Sequence, residues 1–270
     1  MRVAVVGHVE WVEFARVDHV PAPGEIVHAL ETWQEPAGGG AVAAVQLARL
    51  AGDCLFLTAL GDDELGRRSA RELEELGVRV ETAWRPEPQR RAFVHVDAVA
   101  ERTITVIGER MGPHGDDPLP WDELADADAV YFTAGDAEAL RAARAARQLV
   151  ATTRANEVLV PAQVQLDVLV RSARDPGEHY VELEPPPRFV AETDGTAGGT
   201  LLEADRTATR WAAAPLPGPA VDAYGAGDSF AAGLTFALAS GRSPVEAVEL
   251  GARCGAVCMT GRGPYGASVR

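Results

Sequence analysis

The sequence predicts an α/β fold with a central, mainly parallel β-sheet flanked by helices. Two observations predict it. Strand-like and helix-like segments alternate along most of the chain, and the chain begins with an apolar run, residues 3–6, that is typical of a buried strand. The 270 residues suffice for one domain with a substantial core. We therefore expect one domain over residues 1–270.

The individual elements follow from apolar spacing and from the residues that end them. Residues 41–50 place apolar side chains at helical spacing, and residues 63–76 predict a second helix that Gly77 ends as a C-cap. The other elements that we expect are strands at residues 54–60 and 129–133, near Val168 and at residues 189–191, and helices at residues 137–150, after Asp228, and at residues 244–259.

Two segments interrupt the alternation of strands and helices. Residues 10–33 and 90–108 have partly alternating strand patterns with no helix between the strands. We expect them to pair as a small sheet that forms a lid over a site on the main sheet. The alternative is that they are edge strands of the main sheet.

Composition excludes several classes of function. The net charge of −15 argues against nucleic acid or an anionic membrane as partner. No apolar run is long enough to span a bilayer, and the first apolar run is too short for a secretory signal, so we expect a cytoplasmic protein. The chain has no lysine. It therefore lacks the P-loop lysine, the strand lysine of protein kinases and any Schiff-base lysine.

The cysteines predict neither a disulfide framework nor a zinc site. There are three, Cys54, Cys254 and Cys258, with no Cys-x-x-Cys pair. Cys254 and Cys258 share one helix face, so we expect them to be small core residues.

The most informative stretch is Asp-Ala-Tyr-Gly-Ala-Gly-Asp-Ser-Phe at residues 222–230. Gly225, Ala226 and Gly227 are small enough for backbone N–H groups to approach an anion closely. The alanine-rich run that follows predicts a helix whose N-terminus faces that anion, with Asp228 in its first turn. An anion nest beside a carboxylate suits phosphoryl transfer, although a loop with an N-cap would also explain the pattern.

This stretch resembles the second signature of the ribokinase-like (PfkB) carbohydrate kinases. Further segments are similar to family motifs and keep their order: Gly38-Gly-Gly40, Leu60-Gly-Asp-Asp-Glu-Leu-Gly66, Leu76-Gly-Val78, Glu101-Arg-Thr-Ile104 and Thr193-Asp-Gly-Thr-Ala-Gly198. The resemblance covers nearly the whole chain. It implies a ribokinase-like fold with a β-sheet lid, and ATP-dependent phosphorylation of a hydroxyl of a sugar, nucleoside or related alcohol.

The resemblance also implies roles for particular residues. Asp228 would be the general base, and the backbone N–H groups of Gly225, Ala226 and Gly227 would form the anion hole. Asp222 would hold this loop or bind a monovalent cation such as K⁺. Nucleotide contacts would come from Thr193, Gly195, Gly198 and Ala252, with residues 261–263 near adenine. Mg²⁺ would lie between the β- and γ-phosphates, held largely through water.

The sequence departs from the family pattern where the metal and the acceptor would bind. The metal motif Asn-x-x-Glu would fall at residues 172–175, so Asp175 or Glu178 would have to orient a hydrated metal; either could equally be a solvated loop carboxylate. An Asn of the glycine-loop helix falls at Val42. The family's sugar-binding Asp falls near Val12, where Glu10 or Glu13 could replace it. The acceptor would therefore meet Glu10, Glu13, Gly38, Gly39, Val42 and Asp228.

A sugar hydroxyl facing Val42 would lose a hydrogen bond, at a cost of roughly 1–3 kcal/mol. Either the acceptor is less hydroxylated than ribose, or other residues bind it. The alternative function is a non-catalytic nucleotide- or metabolite-binding relative with a regulatory role, which the weakened metal motif favours and the intact Gly-Ala-Gly-Asp disfavours. Because family members often pair through their lids, a homodimer through the lid is the expected assembly, although no clear apolar seam marks it.

Overall fold

The computed structural model describes residues 1–269 and contains two β-sheets flanked by six α-helices. The strands are β1 (Val3–His8), β2 (Glu10–Arg16), β3 (Glu31–Ala37), β4 (Leu55–Gly61), β5 (Arg79–Arg85), β6 (Arg91–Val96), β7 (Arg102–Ile107), β8 (Ala129–Phe132), β9 (Leu149–Thr152), β10 (Val168–Ser172), β11 (Phe189–Thr193), β12 (Gly199–Glu203) and β13 (Ala208–Trp211). The helices are α1 (Gly39–Ala51), α2 (Glu64–Glu75), α3 (Ala137–Ala143), α4 (Asn156–Ala162), α5 (Ala226–Ala239) and α6 (Pro244–Cys258).

The larger sheet has nine strands in the order β13-β12-β11-β10-β9-β8-β1-β4-β5. Every neighbouring pair from β5 to β11 is parallel, whereas β12 and β13 are added antiparallel at one edge. The carboxyl ends of seven parallel strands therefore meet at one edge of the sheet, which is where ligands bind in open α/β sheets.

Apolar side chains of β1 divide the core into two layers, because successive side chains of a strand point to opposite faces. Val3 and Val5 pack in the layer that contains α1, α5 and α6. Ala4 and Val6 pack in the layer that contains α3 and α4. The predicted α/β fold is confirmed.

The second sheet has four strands in the order β3-β2-β6-β7, and we refer to it as the small sheet. β2 pairs in parallel with β6, so residues from the two interrupting segments join in one sheet, separate from the larger one. A buried cluster links it to the body of the domain, with Phe14 packed edge-on against Tyr224 at 5.1 Å between ring centroids. That the small sheet acts as a lid stays a prediction.

The helix predicted at residues 137–150 is wrong in its second half. α3 ends at Ala143, and β9 begins at Leu149 as a central strand between β8 and β10. The alanine-rich sequence has good helix propensity, but the pairing and complete burial of Leu149 and Val150 override it. The guanidinium of Arg144 bonds the backbone carbonyls of Ala146 and Gln165, which closes the turn between the two elements.

Besides β9, four elements were not predicted: α4, β5, β12 and β13. β5 carries mainly polar and half-exposed residues at the sheet edge and therefore lacks the apolar run of a buried strand. The three cysteines are buried, so the core position predicted for Cys254 and Cys258 is confirmed. Among the described residues, no helix is both long and apolar enough to cross a membrane.

Candidate active site

Asp228 lies in the first turn of α5, at the carboxyl edge of the larger sheet. Gly225 is the N-cap of this helix and has a φ of +78°, in the left-handed region that favours glycine. A Cβ there would also lie 2.7 Å from Cβ of Pro264. Nothing lies within 4 Å of a Cβ built on Gly227, so a ligand has open space beside the helix N-terminus, where N–H groups lack helical partners.

Asp222 anchors the loop that precedes α5. Its Oδ1 accepts a hydrogen bond from the backbone N–H of Tyr224 (2.8 Å), and its Oδ2 accepts one from Gly263 (3.1 Å). The side chain is fully buried, and burial raises the pKa of its carboxyl group. These bonds tie the start of α5 to the segment after α6, which favours the loop-holding role over cation binding.

The environment of Asp228 raises the pKa of its carboxyl group to about 6, first through burial and then through the negative charge of Glu178. The positive charges of Arg154 and Arg102 oppose this shift. A carboxylate with a pKa close to neutrality is well suited to general-base catalysis.

The glycine loop that opens α1 approaches Asp228 directly. A Cβ built on Gly39 would lie 2.8 Å from Oδ1 of Asp228. Gly38 has a φ of +85°, and its N–H donates to Oη of the buried Tyr224 (3.2 Å). The structure therefore brings together Gly38, Gly39 and Asp228, and that they form the acceptor site stays a prediction.

Glu10 and Glu13 lie on opposite faces of β2. Glu10 is buried, accepts a hydrogen bond from Nε of Arg90 (2.7 Å) and lies 3.9 Å from Nε2 of His8. Glu13 is about 40% exposed and lies 3.9 Å from Nη1 of Arg91. Of the two candidates, Glu10 lies near Asp228, where its negative charge helps to raise the pKa of the Asp228 carboxyl group. Glu13 lies on the other face of β2, beside Arg91.

Val42 and Val12 lie in the buried apolar cluster between the small sheet and the body. Val42 is 1% exposed and packs against the backbone of Gly225, since a Cβ there would lie 3.1 Å from its Cγ1. Where the resemblance implies an asparagine, a packed apolar side chain thus lies next to the predicted anion hole.

Asp175 and Glu178 lie together, held by Arg154. Nε of Arg154 donates to Glu178 (3.0 Å), and its Nη2 donates to Asp175. The remaining oxygens accept backbone N–H bonds, Glu178 from Ser172 and Asp175 from Gly177. Carboxylate oxygens suit Mg²⁺, but every one of these already has a donor, so they fit a hydrated ion contacted through water better than direct coordination.

The predicted nucleotide residues lie on two adjoining elements. Thr193 ends β11, and Gly195 and Gly198 occupy the tight turn to β12, with φ of +52° and +84°. Ala252 lies on α6, which packs against β12 and β13. It lines a surface hollow of about 460 Å³ between α6 and the chain that follows β13.

Four titratable residues near this site were not predicted from the sequence: His8, Arg90, Arg110 and Arg154. His8 ends β1 and is buried beside Thr133, with 3.4 Å between Nδ1 and Oγ1. Its pKa is well below the usual value because of burial and then the positive charges of the three arginines. No motif marks these residues; only the fold brings them together.

Comparisons with known proteins agree with this fold. The sequence profile described as "pfkB family carbohydrate kinase" matches residues 1–183 and 143–269. An ATP-dependent ribose-1-phosphate kinase from Halopiger xanaduensis is 29% identical over 95% of this chain and 91% of its own length. The structure of Arabidopsis thaliana ribokinase complexed with ribose and ATP has a TM-score of 0.71 (20% identity, 97% and 93% coverage). The adenosine kinase from Sinorhizobium meliloti has a TM-score of 0.78 (20% identity, 97% and 95% coverage).

Proposed function

The chain belongs to the pfkB family of carbohydrate kinases, which makes it a phosphotransferase with an alcohol acceptor, and we propose that it transfers the γ-phosphoryl group of ATP to a hydroxyl of a sugar, nucleoside or related alcohol. One observation carries this proposal. The carboxylate of Asp228, the glycine loop at Gly38 and Gly39, and the N-terminus of α5 share one small space.

In this mechanism Asp228 accepts the proton of the attacking hydroxyl. A pKa of about 6 leaves it mostly ionised at pH 7 and still basic enough to assist proton transfer. The N–H groups of Gly225, Ala226 and Gly227 stabilise the charge on the transferring phosphoryl group, aided by the positive end of the helix dipole. The backbone of Gly38 and Gly39 limits where the acceptor can sit, so the catalytic gain is largely one of positioning.

ATP would bind along the turn at Thr193, Gly195 and Gly198 and against Ala252 on α6. Support comes from the adjacency of these elements and from the Arabidopsis ribokinase, which was obtained with ribose and ATP. MgATP is then the substrate. Asp175 and Glu178 would orient the hydrated ion through water, and the ion would neutralise phosphate charge. A monovalent cation such as K⁺ is a further proposal; it would lie beside the loop that Asp222 anchors, because both carboxylate oxygens of Asp222 already accept backbone N–H bonds.

The assembly and location are also proposals. β7 exposes the apolar side chains of Ile104, Val106 and Ile107, each 41–44% accessible, on the edge strand of the small sheet. This apolar edge, unrecognised in the sequence, supports a homodimer through the small sheet. The acidic charge and the free cysteines fit a cytoplasmic protein.

The test is ADP release from MgATP with a panel of pentoses, hexoses, their phosphates, nucleosides and small alcohols. We expect at least one acceptor to be phosphorylated, and the rate to fall by a factor of about 10²–10⁴ in Asp228→Asn. Asp122→Asn, an exposed aspartate on a short helical turn, is the matched control. Full activity in Asp228→Asn would contradict the assigned base. No turnover with any acceptor, together with a nucleotide-induced rise in Tm, would favour the regulatory alternative.

A further inference from the structure

Arg110 is a cationic side chain without a carboxylate partner. It follows β7, where the chain returns from the small sheet to the body. Its Nη1 donates to the backbone oxygen of Arg154 (2.9 Å), and its Nε is buried with no hydrogen-bond partner within residues 1–269. No carboxylate of the described chain lies within ion-pair distance of its guanidinium. A partly buried cation whose Nε is buried without an acceptor costs free energy, unless a ligand supplies the missing anion.

The two neighbouring arginines differ from Arg110 in this respect. Arg90 is paired with Glu10, and Arg154 is paired with Asp175 and Glu178. The positive charges of all three lower the pKa of His8, and burial followed by the positive charge of Arg90 lowers the pKa of the Arg110 guanidinium. Carboxylates thus neutralise Arg90 and Arg154, and Arg110 is the guanidinium of the three that has no ion pair within the described residues.

Arg110 lies between the acceptor end of the site and the residues proposed to orient the metal ion, because its Nη1 donates to the backbone oxygen of Arg154, which holds Asp175 and Glu178. Its charge acts on His8, Glu10 and Asp228, which lie at the glycine-loop end of the site. The proposed nucleotide residues lie instead on the β11–β12 turn and on α6. An acceptor whose hydroxyl faces Asp228 would therefore direct its remaining groups toward Arg110.

We propose that the acceptor carries an anionic group, a phosphomonoester, and that Arg110 binds it with help from Arg90. This inference rests on the proposed kinase function and selects among its acceptors. An arginine fork binds phosphate oxygens with charge-assisted hydrogen bonds, which are stronger than bonds to a neutral hydroxyl. A bound phosphate also explains how the site can function with Val42 and Val12 where polar side chains were expected. The phosphate contributes the binding affinity that the missing hydrogen bonds to acceptor hydroxyls do not.

Binding tests the proposal without turnover. Isothermal titration calorimetry would compare ribose with ribose 1-phosphate and ribose 5-phosphate, glucose with glucose 6-phosphate, and glycerol with glycerol 3-phosphate, and would include inorganic phosphate as a competitor. We expect the phosphorylated member of at least one pair to bind at least tenfold more tightly, and Arg110→Gln to remove that preference. Arg71→Gln, an exposed arginine on α2, should leave it unchanged, and Arg110→Lys should keep part of it.

Two results would overturn the proposal: no phosphate preference in any pair, or a preference that Arg110→Gln leaves intact at unchanged Tm. Steady-state kinetics separate it from the proposed function. A phosphate preference in binding with no ADP release would leave the anion site standing and contradict the kinase. Turnover of neutral acceptors at equal kcat/KM would leave the kinase standing and contradict the anion site. A raised KM for ATP alone in Arg110→Gln would assign Arg110 to the γ-phosphate, which also overturns the proposal.

Discussion

Gly39 and Asp228 lie so close that a single methyl group would fill the gap between them. A Cβ on Gly39 would be 2.8 Å from Oδ1 of Asp228, below ordinary van der Waals contact. The two residues are far apart in sequence, one at the start of α1 and the other in the first turn of α5. α1 and α5 begin side by side at the carboxyl edge of the larger sheet. The backbone of Gly39 therefore forms one wall of the space around the Asp228 carboxylate.

Gly39→Ala should therefore reduce activity with little loss of stability. The φ of Gly39 is not in the left-handed region, so alanine fits the backbone, but its methyl would displace the Asp228 carboxylate. Misplacing a catalytic group by about 1 Å costs on the order of 10²-fold in rate. We expect kcat to fall by that order, measured by ADP release. Gly218→Ala, whose Cβ would meet no atom within 4 Å, is the control; equal activities of the two variants would contradict the shared space.

The pH dependence of the reaction should report Asp228. The general base must be ionised, and the pKa of its carboxyl group is about 6. Below that pH, log kcat/KM should fall with a slope near 1, and above it the rate should level off. The measurement is kcat/KM from pH 5 to 8 at saturating MgATP. A profile that stays flat down to pH 5 would exclude Asp228 as the titrating base.

Asp228→Asn should make the protein more stable at neutral pH while it slows catalysis. Burial raises the pKa of this carboxyl group from near 3.8 to about 6, so above pH 6 the folded chain holds a charge that the unfolded chain hydrates better. A shift of about two pKa units corresponds to at most about 3 kcal/mol. Tm of the variant should exceed that of the wild type by a few degrees at pH 8.

The stability gained in Asp228→Asn should depend on pH, because the folded and unfolded wild type bind protons at Asp228 with different pKa values. Both states of the wild type are protonated below about pH 3.8, so the gain from Asp228→Asn should shrink between pH 6 and 4. Differential scanning fluorimetry at pH 8, 6 and 4.5 measures it, with Asp122→Asn as the exposed control. A variant that is less stable at pH 8 would show that the charged carboxylate stabilises the fold.

Local pattern was sufficient to predict the parts of the site that lie on one stretch of chain. The loop and helix at residues 222–239 have glycines and a helix signal in contiguous sequence, so Asp228 and its N-terminal position were predictable. Glu10 remained ambiguous with Glu13, because only the register of β2 decides which face meets the body.

Residues brought together by tertiary structure left no such signal. Arg90 precedes β6 and Arg110 follows β7 in the small sheet. Arg154 follows β9, a strand for which the alanine-rich sequence predicted a helix. Their convergence on His8 depends on the relative placement of the two sheets. Charged residues at loop positions are common in any sequence, so spacing alone could not mark them as part of a site.

Substitutions of Arg154 and Glu178 should move the pH profile in opposite directions. The positive charge of Arg154 lowers the pKa of Asp228, and the negative charge of Glu178 raises it. Arg154→Gln should therefore shift the acid limb of kcat/KM to higher pH, and Glu178→Gln should shift it to lower pH. Loss of rate alone would not distinguish electrostatics from a damaged metal site, but opposite shifts require a through-space effect on the base. Shifts in the same direction, or none, would show that the two residues act on the reaction in another way.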